Sequence, residues 1–99
     1  MNKVALITGG ARRIGAETAN HLHSKGMNII ITYSKSANAA KSLKKILNSK
    51  REKSCDIYKV EFNSKVNYKK TTNNILKIFG RIDYLINNAS KFYPTKIND

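Results

Sequence analysis

Hydrophobic positions along this chain follow two alternating rhythms. Residues 3–8 (KVALIT) and 28–33 (NIIITY) are almost unbroken apolar runs rich in strand formers. Strands covered on both faces have this pattern. Between them, over 13–25, Ile14, Thr18 and Leu22 recur four apart with Ala19 beside them. That spacing predicts one face of a helix, and Gly26 stands at the usual stop position. Ser36 is placed to cap a second helix, in which Ala39, Ala40, Leu43, Ile46 and Leu47 share a face. A third strand is predicted over 56–62, carrying Ile57, Val60 and Phe62. A third helix follows over 66–79, with Tyr68, Thr72, Ile75 and Phe79 on one side and Gly80 at its end. Residues 82–87 (IDYLIN) predict a fourth strand.

Strands alternating with helices through short joints predict a parallel sheet, and right-handed crossovers place helices on both of its faces. The expected fold is α/β, the first half of a doubly wound, Rossmann-like sheet with strand order 3-2-1-4, and residues 1–99 form part of one domain. Ligands of such sheets bind beyond the carboxyl ends of the strands, where the winding reverses. Two stretches lie at such ends: TGGARRIG (8–15) after the first strand and NNAS (87–90) after the fourth.

Composition narrows the partners. The net charge is +13, from nineteen Lys and Arg against six Asp and Glu. An excess of this kind favours anions. The lysines are scattered rather than gathered, and Lys, Asn and Ile together fill 39 of 99 positions. Compositional bias is therefore the plainer reading of the charge, and nucleic acid the weaker one. A single cysteine, Cys55, allows no internal disulfide and fits a reducing cytoplasm. It is read as a small core or edge residue. The N-terminal apolar run is too short for a secretory signal, and no window is long enough to span a membrane.

The glycine turn carries the first chemical signal. A G-x-G-x-x-G match starting at Gly9 fails, because positions 11 and 14 are Ala11 and Ile14. Arg12 and Arg13 instead stand where a helix begins, next to the positive end of its dipole, at a cost of about 0.3–1 kcal/mol each. An anion among them removes that cost, and a pyrophosphate on the helix N-terminus would do so. The end of the second strand carries the next signal. NAD sites place an acid there to bind the ribose hydroxyls. This chain has Tyr33-Ser34-Lys35-Ser36 instead, two hydroxyls and an ammonium after the tyrosine. That set suits the extra phosphate of NADP, and NADPH is the expected cofactor.

These motifs resemble the short-chain dehydrogenase/reductase superfamily, and within it the pteridine reductase branch. The superfamily turn is T-G-x-x-x-G-x-G. Thr8, Gly9 and Gly15 match it, and Arg13 replaces the middle glycine, as in that branch. YSKS is similar to the branch's 2′-phosphate segment, and LINNASKFYPT (85–95) to its N-N-A-S and F-Y-P-T segments. The resemblance implies that Gly9, Arg13, Ile14 and Gly15 hold the pyrophosphate turn and that Ser34, Lys35 and Ser36 select NADP. It places Asn88, Ala89 and Ser90 beside the cofactor, with Ser90 also reaching the pterin. Phe92 would stack on the pterin. Where the family has Asp-Leu near the adenine, this chain has Glu61-Phe62. The implied activity is NADPH-dependent reduction of a pterin, dihydropterin or related carbonyl compound, in proteins that assemble as homotetramers.

The superfamily's proton donor, Tyr-x-x-x-Lys, is absent. Four residues after Tyr33, Tyr58, Tyr68, Tyr84 and Tyr93 stand Ala37, Phe62, Thr72, Asn88 and Ile97. No catalytic residue is therefore assigned, and the 99 residues are expected to be inactive alone, as a truncated or split product. The alternatives are a non-catalytic basic module for nucleotide or RNA, and a fragment without function. His21 and His23, two apart on a helix, point to different sides. They are read as surface residues, with no metal site. Asp83 is expected to support the turn before the fourth strand.

Overall fold

A computed structural model describes residues 2–9, 11, 13–60 and 67–88. The elements run β1 (Val4–Thr8), α1 (Arg13–Ser24), β2 (Asn28–Tyr33), α2 (Ala37–Lys50), β3 (Cys55–Lys59), α3 (Tyr68–Phe79) and β4 (Tyr84–Asn87). Every strand pair is parallel and the sheet order is β3-β2-β1-β4, as the alternating pattern predicts. β3 runs 55–59, starting one residue before the predicted 56–62 and ending earlier. Val60 lies just beyond it, donating its N–H to the Tyr33 carbonyl at 2.8 Å. β4 begins at Tyr84 rather than at residue 82, because Asp83 is taken up in a separate tie to β1.

The sheet is covered on both sides. All five residues of β1 and the middle four of β2 are buried, which accounts for their unbroken apolar runs. On one face Ala5, Ile7, Ile29 and Ile31 pack against Ala19 of α1 and against Leu43 and Leu47 of α2. On the other, Val4, Leu6 and Ile30 pack against Ile75 of α3, with Tyr58, Ile78 and Phe79 around them. α3 matches its predicted face. It is capped by Asn67, whose side chain accepts the Lys70 N–H at 3.0 Å, and it ends at Gly80 with φ 80°.

α1 departs from its predicted face. Gly15, Ala19 and His23 are the buried stripe, while Ile14 is 72% exposed. The small residues bring the helix axis close to the sheet, and a stripe one position earlier would hold it away. α1 ends as predicted: Gly26 has φ 94°. Its N–H bonds the His23 carbonyl at 3.0 Å and the Met27 N–H bonds the Leu22 carbonyl at 3.2 Å, the paired bonds of a Schellman turn. In α2, Ile46 is 49% exposed rather than on the core face.

His23 is not a surface residue: it is 3% exposed. Its Nε2 lies 2.7 Å from Ser54 Oγ. The Ser54 hydroxyl donates to the Arg51 carbonyl, so its lone pairs are left to accept from the ring N–H. Arg51 in turn donates to the carbonyls of His23 and Met27, at 3.2 and 2.6 Å. This cluster locks the foot of the sheet, at the strands' N-terminal ends. At the same end Asp83 joins β4 to β1. It accepts the Val4 N–H at 2.8 Å, returns its own N–H to the Val4 carbonyl at 2.8 Å, and is gripped by Arg81 Nε and Nη2. Cys55 is buried in the first core face, and burial first, then Asp56, pushes its thiol up to about 12. No helix among the described residues is long and apolar enough to cross a membrane.

Candidate functional site

The strands' carboxyl ends meet at the opposite end of the molecule. β1 lies between β2 and β4, so the turn after it is flanked by the ends of both. The Gly9 N–H donates to the Thr32 carbonyl at 3.1 Å, and the same N–H lies 3.3 Å from the Thr32 hydroxyl. On the other flank the Thr8 hydroxyl donates to Asn87 Oδ1 at 2.7 Å, and the Asn88 N–H donates to the Thr8 carbonyl at 3.2 Å. The glycine turn and the start of the NNAS segment are thus fixed to each other across 79 residues of sequence. Sequence reasoning named Asn88 but assigned no role to the Thr8–Asn87 pair. Its only trace was an asparagine and a threonine at the ends of two predicted strands.

The turn has an unusual backbone. Gly9 has φ 65° and Arg13 φ 49°. Glycine adopts the left-handed region freely, whereas a side-chain-bearing residue there costs about 1–2 kcal/mol. Arg13 holds it at the first position of α1, exposed to solvent. Two residues on, Gly15 is buried. Ile14 stands out from the turn, and its carbonyl accepts the Thr18 hydroxyl at 2.9 Å.

After β2, Ser34 and Ser36 are half-buried and Lys35 is exposed. Ser36 is the N-cap residue of α2, but its hydroxyl makes no capping bond. The expected cap is therefore not formed by the side chain, and the hydroxyl stays available at the helix start. Neither α1 nor α2 has an acid in its first turn, although acids are the residues that helix N-termini favour. Among the described acids, Glu52 and Asp83 lie at the foot of the sheet, and Asp56 is level with Leu6, the middle of β1. Glu17, on α1, is the one on the other half.

Gly9, Arg13, Ile14, Gly15, Ser34, Lys35, Ser36 and Asn88 therefore gather at one end of the sheet, on the ends of β1, β2 and β4 and the helix starts that follow β1 and β2. Glu61, Phe62, Ala89, Ser90 and Phe92 lie outside the described residues. Free helix N–H groups, a turn with glycines at 9 and 15, an arginine and an acid-free second strand end fit a ligand with several phosphates. No group of three or more His, Cys, Asp or Glu side chains among the described residues could hold a metal ion.

Several known proteins resemble this chain in sequence. Pteridine reductase 1 of Leishmania tarentolae is 32% identical over 111 residues, covering 95% of this chain and 38% of the relative. NADP-dependent mannitol dehydrogenase of Alternaria alternata is 32% identical over 99 residues, covering 98% and 37%. The 3-oxoacyl-[acyl-carrier-protein] reductase FabG of Staphylococcus epidermidis is 33% identical over 90 residues, covering 90% and 36%. The chain spans rather more than a third of the length of these relatives. The family model for short chain dehydrogenase matches residues 3–98, and with the parallel β3-β2-β1-β4 sheet beneath that match, the chain belongs to the short-chain dehydrogenase family.

Proposed function

We propose that this chain is the NADPH-binding portion of a pteridine reductase-like oxidoreductase. The observation that carries the reading is Arg13, a cationic residue in a glycine-like conformation at the positive end of α1. Strain of this kind is kept where the surroundings use it, and a bound pyrophosphate is what would reward a guanidinium there. The acid-free Ser34-Lys35-Ser36 segment supports the 2′-phosphate in the same way, with the uncommitted Ser36 hydroxyl at the start of α2. Two of the relatives are named as a pteridine reductase and an NADP-dependent dehydrogenase.

When bound, NADPH supplies a hydride to a C=N or C=O group. This chain's residues bind and orient it: Gly9 and Gly15 admit the pyrophosphate, Arg13 balances its charge, and Ser34, Lys35 and Ser36 hold the ribose phosphate. Asn88 would line the nicotinamide end; by the family resemblance Ala89 and Ser90 would join it, and Phe92 would stack on a pterin. With no lysine four residues after any of its tyrosines, the chain has no proton donor of the family type, and the 99 residues alone bind without turnover.

Titration calorimetry tests this. NADPH binds at least about tenfold more tightly than NADH, a difference of about 1.4 kcal/mol. Arg13→Gly raises the melting temperature by releasing about 1 kcal/mol of backbone strain and weakens NADPH binding. Equal affinity for the two cofactors overturns the reading.

A further inference from the structure

One edge of the sheet is closed by side chains. In a parallel strand, successive residues turn their backbone groups to opposite sides. On β3 the Ser54 carbonyl accepts from Ile29 and the Val60 N–H donates to Tyr33, both at 2.8 Å. The even-numbered residues thus face β2, and Cys55, Ile57 and Lys59 turn their backbone groups outward. A row of outward N–H and C=O groups is a template for another strand. Here the first part of the row is occupied. Asn48 Oδ1 accepts the Cys55 N–H at 2.9 Å, and Asn48 Nδ2 donates to the Cys55 carbonyl at 3.0 Å. One side-chain amide therefore makes both bonds that a neighbouring strand would make to that residue. It accepts the Ser54 N–H at 2.9 Å as well. Two residues along, Asp56 Oδ1 accepts the Ile57 N–H at 2.8 Å, and Lys44 holds that same oxygen at 3.1 Å.

Lys44 and Asn48 are one helical turn apart, so α2 lays both along β3 at once. Beside them runs a groove of about 420 Å³, lined by Ile78 and Phe79 of α3 as well as by Lys44, Asn48, Cys55 and Asp56. A strand added to β3 would cover that apolar lining, so the edge has something to gain from pairing.

We propose that Asn48, backed by the Lys44–Asp56 pair, is a strand-edge guard, and that the occupant it excludes is a second copy of this chain. The parity of β3 sets the geometry of the excluded pairing: β3 against β3, antiparallel about Ile57.

The test compares the parent with Asn48→Ala and Asp56→Ala across a concentration series, by sedimentation and by amide exchange. In dilute Asn48→Ala the Cys55 amide exchanges about tenfold faster than in the parent, as expected for one lost hydrogen bond. At higher concentration the protection returns, and association is at least about tenfold tighter than in the parent. Asp56→Ala gives the same trend at Ile57 without touching Asn48, and it decides the matter should Asn48→Ala fail to fold. Adding Ile57→Pro removes the outward N–H at a position where an edge strand accepts proline, and it returns the double variant to the parent's association state. Folded variants that associate no more than the parent overturn the proposal, and so does association that Ile57→Pro leaves unchanged.

Discussion

His23 is held neutral by its surroundings. Burial, followed by the charges of Arg51 and Lys50, keeps its pKa below the usual 6.5. In the unfolded chain the ring takes up a proton near 6.5, while in the fold it does so only at a lower pH. Acidification through and below that pH therefore favours the unfolded state, and the stability from neutral His23 is present above it. The melting temperature is expected to fall between pH 7.5 and about 5.5, with a shallower fall in His23→Gln. An unchanged slope would remove His23 from the account. The same residue shows why the sequence misled on it. A polar residue is placed inside by its partner, and the partner here, Ser54, is 31 residues away. Arg13 is the opposite case. Its unusual position was legible because a charge stands where a helix dipole disfavours it, and the left-handed backbone adds the steric side of the same anomaly.

Helix ends were more legible than helix faces. Gly26 and Gly80 stop α1 and α3 in the left-handed conformation, with φ 94° and 80°. A Cβ at Gly80 would meet no atom within 4 Å, so substitution there acts through the backbone alone. Gly80→Ala is expected to cost about 1 kcal/mol, readable by denaturant unfolding with an unchanged m-value; a neutral result would show that the turn relaxes. The face of α3 was legible because Tyr68, Ile75 and Phe79 are large. That of α1 was not, because Gly15 and Ala19 fit the sheet by their smallness, and hydrophobic spacing gives small residues little weight. The N-cap Asn67 was missed for a related reason: its bond to Lys70 is local geometry in a polar stretch that carries no apolar rhythm.

At the scale of the whole molecule, the strand order follows from alternation and handedness and needs no distant partner to be read. The ties between distant strands do need one. Asp83, bonded by Arg81 in the segment before β4 where it was expected to support the turn, also joins β4 to β1, and the Arg81 hydrogen bonds, then that from Val4, hold its carboxyl below the ordinary range. Asp83→Asn is expected to lower the melting temperature and to speed amide exchange in β4 while β2 keeps its protection. Uniform loss across the sheet would mean that the clamp is not local. Half of the candidate site was legible for the same reason. Glycines, arginines and a missing acid declare themselves locally, whereas the Thr8–Asn87 bond appears only once the first and last strands are side by side. That arrangement has a consequence for how the chain assembles. β1 meets β2 after one short crossover but must wait for β4 across 79 residues. Closing so long a loop comes late and slowly. During synthesis the first three strands can settle while one flank of β1 stays bare. The glycine turn then takes its final form only when the chain's last described strand leaves the ribosome.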